Sequence, residues 1–265
     1  MARSKRKTPV SVIVCVYNEE KHLEQTLKDL LNCPTAEEII VVNDGSTDKS
    51  ERILKSFASK ITLISYRKNR GKGYALSLGL NRARGKVVVF LDAHLKNLKD
   101  DHLKRLVSPI LQRKTNYALG YYRMQAVKSD FFANLTGQRA YLKEILIPFL
   151  PNLKKTRFGV ETYLNEIFKP RWGKIIYFSG LIHFVKHQNM PFNEVLPAYL
   201  HEVIEIYKTK TEIKLQQYHQ LKKILNPKKI KSLRTLSKKL NQIKDQEVID
   251  LIKSNLIPYL KKITQ

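Results

Sequence analysis

Val10–Val16 reads VSVIVCV, and the next four residues are Tyr17-Asn18-Glu19-Glu20. With Ser11 its one hydroxyl residue, this run predicts a strand buried on both faces. Asn18–Leu31 follows with Leu23, Leu27, Leu30 and Leu31 at helical spacing. The alternation then repeats. Glu38–Val42 (EIIVV) predicts a second strand, and Asp48 with Glu51 three residues on predicts a capping box ahead of a helix buried through Ile53, Leu54 and Phe57. Ile61–Ser65 (ITLIS), Gly73–Ala83 and Lys86–Leu91 (KVVVFL) supply a third strand, a third helix and a fourth strand. Strands apolar on both faces and separated by helices predict an α/β protein with a parallel sheet covered on both sides. Right-handed crossovers make that sheet doubly wound, and its ligands then belong beyond the carboxyl ends of the strands.

Further along the pattern changes. Tyr117–Met124 and Lys174–Ser179 read as strands, and Thr136-Gly-Gln-Arg-Ala140 as a turn entering a helix. From about Pro197 the chain is Lys-rich and helical in period, broken by Pro227 and Pro258, and Val248, Leu251, Ile252, Leu256 and Leu260 give an amphipathic last segment. The organisation expected is a domain over residues 1–207 and a basic helical appendage over 208–265.

At 265 residues, 43% hydrophobic and 27% charged, the chain is globular in composition, which excludes wholesale disorder. No run approaches the ~18–20 apolar residues that span a bilayer. The basic start, Met1 to Thr8, has no long apolar stretch behind it to make a signal peptide. Two cysteines, Cys15 and Cys33, give neither a disulfide framework nor metal-finger spacing. A soluble, cytoplasmic protein is expected. Forty-nine Lys+Arg against 23 Asp+Glu leave +26, a charge that suits nucleic acid, an anionic membrane surface or phosphorylated small molecules, or else a simply solvated lysine surface. Nucleic-acid-reading motifs and interleaved aromatics are missing, and no Gly-any-Gly-any-any-Gly follows the first strand. Those two facts count against a nucleic-acid binder and a dinucleotide enzyme.

The polar clusters sit where such a sheet places its ligand. Tyr17–Glu20 follows the first strand, Asn43-Asp44-Gly45-Ser46-Thr47-Asp48 the second, Asp92-Ala93-His94 the fourth, and Asn69-Arg70-Gly71-Lys72-Gly73 precedes a helix. A sugar nucleotide needs acceptors for base and ribose, cations for diphosphate, and a divalent metal. Asp44 can accept from a base N–H, Glu19 can hold ribose or base, and Lys72 can meet phosphate beside a helix N-terminus. Asp92 and His94, at i and i+2, share a face of an extended strand and can hold one metal.

These four segments in order resemble the signature series of family 2-like glycosyltransferases with the GT-A fold, closely over residues 8–95. Leu135–Ala140, Phe158-Gly-Val-Glu-Thr162 and Gly180–Lys186 resemble, more loosely, acceptor-side motifs of a subset similar to glucosyl-3-phosphoglycerate synthases and polyprenyl-phosphate glycosyltransferases. The resemblance implies a metal-dependent hexosyltransferase using a nucleotide-diphosphate sugar, a UDP-sugar first. Its acceptor would be a phosphorylated small molecule or a polyprenyl phosphate. It places Cys15, Tyr17, Glu19, Asp44, Lys72, Asp92 and Ala93 at the donor and Thr136, Gly137 and Arg139 at the acceptor, with Arg139 gripping a phosphate. Glu161 and Asp92 become the catalytic carboxylates, Glu161 as general base if the reaction inverts or as an orienting group if it retains. The metal ligands implied are Asp92, His94 and His183, with His187 and His201 as fallbacks. The usual aspartate-any-aspartate motif ends here in a histidine, which favours Mn²⁺ over Mg²⁺. The same change motivates an alternative, a degenerate domain that binds nucleotide or a partner without turnover. A homodimer and a peripheral position on anionic membrane, through the basic tail, are compatible with the sequence.

Overall fold

The computed structural model describes residues 10–122, 136–156, 159–169, 173–183 and 232–243, together with Ile249, Lys253 and Ile257. The chain divides into two compact units, Met1–Arg123 with Thr136–Phe184, and Met124–Leu135 with Val185–Gln265. The expected boundary at residue 207, the amphipathic last segment, His187 and His201 lie outside the described residues.

The first unit is built on β1 (Val10–Val16), α1 (Leu23–Leu31), β2 (Glu38–Asp44), α2 (Ser50–Ser56), β3 (Thr62–Tyr66), α3 (Lys72–Arg82) and β4 (Val87–Asp92). These are the predicted elements with ends moved by a few residues. Then come a short β5 (Leu95–Lys96), α4 (Asp100–Leu111), β6 (Tyr117–Tyr122) and β7 (Arg139–Leu142). Short helices α5 (Lys143–Leu146) and α6 (Leu150–Leu153) lead to α7 (Val160–Ile167), β8 (Lys174–Phe178) and β9 (Ile182–His183). In the second unit the described residues form α8 (Leu233–Leu240), capped by the Ser232 hydroxyl accepting from Thr235 N at 3.2 Å.

Seven strands make one sheet in the order β3-β2-β1-β4-β7-β6-β8, and β5 pairs with β9 separately. All neighbours in the large sheet are parallel except β7, which is antiparallel to both β4 and β6. Every residue of β2 and β4 is buried, because helices cover both faces. α1 buries Leu23, Leu27 and Leu30, each worth roughly 1.5–3 kcal/mol of apolar transfer.

Two local expectations are corrected. Arg139–Leu142 is a strand inside the sheet, not the start of a helix; its backbone satisfies both neighbours, a tertiary demand that overrides local turn chemistry. The Asp48–Glu51 capping box does not form. Asp48 Oδ1 accepts from Ser50 N at 2.9 Å, Glu20 Oε2 accepts from Lys49 N at 2.9 Å, and Glu51 instead pairs with Lys55 one turn on.

Candidate active site

The carboxyl ends of β1, β2 and β4 carry the polar clusters, and hydrogen bonds knit them together. Asn18 takes a left-handed backbone and accepts from Thr47 N at 2.8 Å, while the Ser46 hydroxyl accepts from Asn18 N and the Ser50 hydroxyl from Glu19 N. Gly45 has φ +69°, and a Cβ there would lie 2.6 Å from Asn69 N, so the loop after β2 and the loop before α3 touch through a missing side chain.

Asp44 is buried at the end of β2. Its carboxylate accepts from Arg70 N at 2.7 Å, Gly71 N at 2.9 Å and Asn69 Nδ2 at 3.0 Å. Those bonds hold the loop that launches α3, a task beyond the expected one at a base. On β3, Tyr66 is the register neighbour of Asp44, and burial followed by that carboxylate pushes its phenol up from the ordinary value.

Lys72 opens α3 and reaches two carboxylates, Asp92 Oδ1 at 2.7 Å and Glu161 Oε1 at 2.6 Å. Burial pulls its ammonium down, but Asp92 and then Glu161 outweigh that and the net displacement is upward. Glu161 lies in the first turn of α7, where the helix dipole favours negative charge. Lys72, Asp92 and Glu161 are therefore brought together. The second Asp92 oxygen accepts from Gln138 Nε2 at 2.7 Å.

β4 stops at Asp92, so the two-residue alternation of a strand does not carry on to residue 94. His94 Nδ1 lies 3.3 Å from Glu19 Oε1. His22 is also in this neighbourhood; burial pushes its imidazole down, Glu19 opposes this and His94 adds to it. The backbone of His183 is the β9 partner of Leu95, so that residue is adjacent to the loop carrying His94; its side chain is outside the described residues. Among the described residues no three His, Cys, Asp or Glu side chains converge on one ion position. The donor types at this end of the sheet, carboxylate at Asp92 and Glu19 and imidazole at His94, are those that suit a divalent ion of intermediate softness.

Arg139 corrects the expectation of an accessible phosphate grip. It is 1% exposed, and its guanidinium donates to Thr136 O at 2.6 Å, Asn165 Oδ1 at 2.8 Å and Tyr141 Oη at 3.3 Å. Its fork braces β7 against α7, because a side chain at a central strand position has no path to solvent. Thr136 is buried too, its one hydroxyl proton shared between Gly120 O and Gln138 Oε1, both at 2.7 Å. Gly137 packs directly on Asp92: a Cβ there would fall 2.2 Å from Oδ1. These residues therefore line the back of the Asp92 carboxylate.

Tyr17 is half-buried just past β1, and Ala93 is buried between Asp92 and His94. Cys15 is the register neighbour of Asp92, with its thiol 4.0 Å from Lys72 O and pushed up by burial.

Several supporting residues went unseen. Thr26 bonds Ala93 O and Leu95 O, both at 2.9 Å, and accepts from Leu95 N at 3.0 Å, fixing both sides of His94. Its signal was available: it is a polar residue on the face of α1 that buries Leu23, Leu27 and Leu30. His102 accepts from Lys99 N at Nδ1 and pairs its Nε2 with Ser179 O at 3.0 Å, tying α4 to the turn before β9. Gln138 had no signal beyond membership of the Thr136–Ala140 segment.

A sheet of this order with its acidic site at the carboxyl ends of β1, β2 and β4 is the GT-A type of nucleotide-sugar transferase scaffold. The family model "Glycosyl transferase family 2" matches residues 11–175, more than half of the chain, and the chain belongs to that family. Among curated relatives, the glycosyltransferase GlyA of Streptococcus pneumoniae is 33% identical over 61% of this chain and 24% of its own length. The undecaprenyl-phosphate 4-deoxy-4-formamido-L-arabinose transferase of Proteus mirabilis is 35% identical over 60% of this chain and 56% of its own. The chain thus spans little more than half, or less, of the curated relatives it matches. Among solved structures, glucosyl-3-phosphoglycerate synthase from Mycobacterium tuberculosis, in complex with Mn²⁺, uridine diphosphate and glucosyl-3-phosphoglycerate, superimposes with a TM-score of 0.59 at 19% identity. That match covers 78% of this chain and 81% of the synthase, and establishes the shared fold. No helix among the described residues is long and apolar enough to cross a membrane.

Proposed function

We propose that the chain is a metal-dependent glycosyltransferase that moves a sugar from a nucleoside-diphosphate donor, a UDP-sugar, to an acceptor that carries phosphate. The observation that carries this reading is the Lys72 ammonium set between Asp92 and Glu161 at the carboxyl end of the sheet. Glycosyl transfer from a nucleotide sugar builds negative charge on the departing diphosphate, and a cation fixed at a helix N-terminus stabilises it without reorganisation. Lys72 is that cation. Glu161 meets the acceptor hydroxyl, as general base in an inverting reaction and as an orienting group in a retaining one. Asp44 and its loop, with Glu19, Tyr17 and Cys15, form the nucleotide side.

Asp92 and His94 would hold a divalent ion, with His183 as the further ligand that the resemblance implies, and the imidazoles would favour Mn²⁺. When bound, the ion supplies Lewis-acid neutralisation of the diphosphate. A phosphorylated small molecule is supported by the synthase of shared fold, solved with phosphoglyceric acid and with glycerol 3-phosphate. A polyprenyl phosphate is supported by the undecaprenyl-phosphate relatives. For the polyprenyl acceptor, the basic tail would rest on an anionic membrane face.

Calorimetric titration with UDP, GDP, ADP and CDP, each with and without Mn²⁺, tests the donor site. The expected result is UDP binding that needs Mn²⁺ and is lost in Asp92→Ala and His94→Ala. No nucleotide binding under any condition overturns it. A second reading, nucleotide binding without turnover, is motivated by the histidine at position 94, where the usual motif has an aspartate. It predicts Mn²⁺-independent UDP binding and no sugar transfer to either acceptor class.

A further inference from the structure

We infer that Gln138 is a positioning residue that sets the affinity of the donor site for its divalent ion, acting through Asp92. The inference rests on the proposed role of Asp92 at that site. Gln138 is wholly buried, in the turn leading into β7. Its main chain is pinned at both ends: Gln138 N donates to Thr136 Oγ1 at 3.1 Å, and Gln138 O accepts from Gly120 N at 2.8 Å. Its side chain spans two partners, Asp92 Oδ2 at 2.7 Å and the Thr136 hydroxyl at 2.7 Å.

The chemistry fixes which way the amide points. An ionised carboxylate only accepts, so Gln138 must turn its NH₂ to Asp92 and its carbonyl to the Thr136 hydroxyl. Lys72 holds Oδ1 on the other side. Each Asp92 oxygen therefore carries a donor from a different element, α3 for one and the β7 turn for the other, and the carboxylate plane is set before any ligand arrives. Gly137 closes the third side: the space a Cβ would need lies 2.2 and 2.4 Å from the two Asp92 oxygens.

Lys72 has a second carboxylate and a diphosphate to serve, so it is the donor that shifts during a catalytic cycle. Gln138, buried and doubly bonded, is the one that stays. Groups that orient a ligating side chain in this way commonly change metal affinity by 10–100-fold when removed.

The test is Mn²⁺ binding to the full chain in the presence of UDP, followed by the electron paramagnetic resonance of free Mn²⁺, with the unfolding midpoint of each variant measured alongside. Gln138→Met keeps volume but loses both side-chain polar contacts, and Thr136→Val removes the hydroxyl that meets the Gln138 carbonyl and its main-chain N–H. Gln138→Met is expected to weaken Mn²⁺ binding about tenfold, and Thr136→Val to weaken it in the same direction by less. Asp92→Asn is the control. If Asp92→Asn loses Mn²⁺ while Gln138→Met binds it within twofold to threefold of wild type, the inference on Gln138 falls and the donor-site reading stands. If Asp92→Asn binds Mn²⁺ as wild type does, both fall. A purely structural role shows itself as a lowered unfolding midpoint with unchanged Mn²⁺ affinity, and that also overturns the inference. Should Gln138→Met not fold, Thr136→Val decides between the same outcomes.

Discussion

Glu38 illustrates how much one buried carboxylate can organise. At the start of β2 it accepts from the Ser11 hydroxyl at 2.5 Å, Arg84 N at 2.8 Å and Arg84 Nε at 2.9 Å. Ser11 passes the connection on by accepting from Gly85 N, where a Cβ would lie 2.5 Å from Ser11 and could not fit. Burial pushes the Glu38 carboxyl up, yet the Arg84 N–H, the Ser11 hydroxyl and the guanidinium together outweigh it and hold the group below the ordinary carboxylate value. Because the folded value is the lower one, the stabilisation is complete above the unfolded value, about 4.3. It is then lost as pH falls through the folded value. Glu38→Gln should cost about 1–3 kcal/mol at neutral pH. Urea unfolding at pH 7 and again near pH 3.5 should show that gap narrowing in acid. A gap that stays constant with pH would mean that the charge is irrelevant.

At the scale of elements, β1, β2 and β4 are legible because burial on both faces leaves a nearly unbroken apolar run, while β3, only partly buried, is legible from its place in the strand–helix alternation. β7 is not. Arg139-Ala-Tyr-Leu142 contains a cation at a central position, and its strand character comes from β4 and β6 on either side. The arginine's donors are taken up by Thr136 O and Tyr141, close by in the chain, and by Asn165 on α7, far from it in sequence. The site divides along the same line. Glu19, Asp44, Lys72 and Asp92 stand at strand or helix ends that periodicity locates, whereas Gln138 and Thr26 act through contacts that only the folded chain creates. α1 supplies a test of that second class. Thr26→Val removes the hydroxyl between Ala93 O, Leu95 O and Leu95 N, leaving buried backbone groups unpaired at a cost of roughly 1–3 kcal/mol. It should lower the unfolding midpoint and weaken Mn²⁺ binding together; a lower midpoint with unchanged Mn²⁺ affinity would separate α1 from the site.

For the whole molecule, the governing quantity is the charge of +26. Inside the first unit Lys72 at the site has two carboxylates, and Arg84, at the opposite end of the sheet, has Glu38. In the groove of about 550 Å³ beside α4, Lys104 and Arg105 pair with Asp100 and Asp101 of the same helix, while Lys114 and Lys174 line it from other elements. A field of this sign raises encounter rates with anionic donors and acceptors, and salt screens it over a Debye length of about 8 Å at physiological ionic strength. For the proposed transferase, kcat/KM should fall several-fold between 50 and 500 mM salt while kcat changes little. Equal loss of both parameters would point to the chemistry and away from encounter. Composition alone could announce the charge but not this partition, since only the folded chain shows which cations have partners.

The loop from Asn69 to Gly71 acquires a different character from its bonds to Asp44. The Arg70 and Gly71 amides donate to a buried carboxylate as ladder amides donate to a neighbouring strand, and they should be slow to exchange with solvent. Order in the segment that introduces Lys72 thus rests on one side chain of β2. A change at Asp44 would therefore be felt as a loosened main chain before it was felt as a lost contact with any nucleotide.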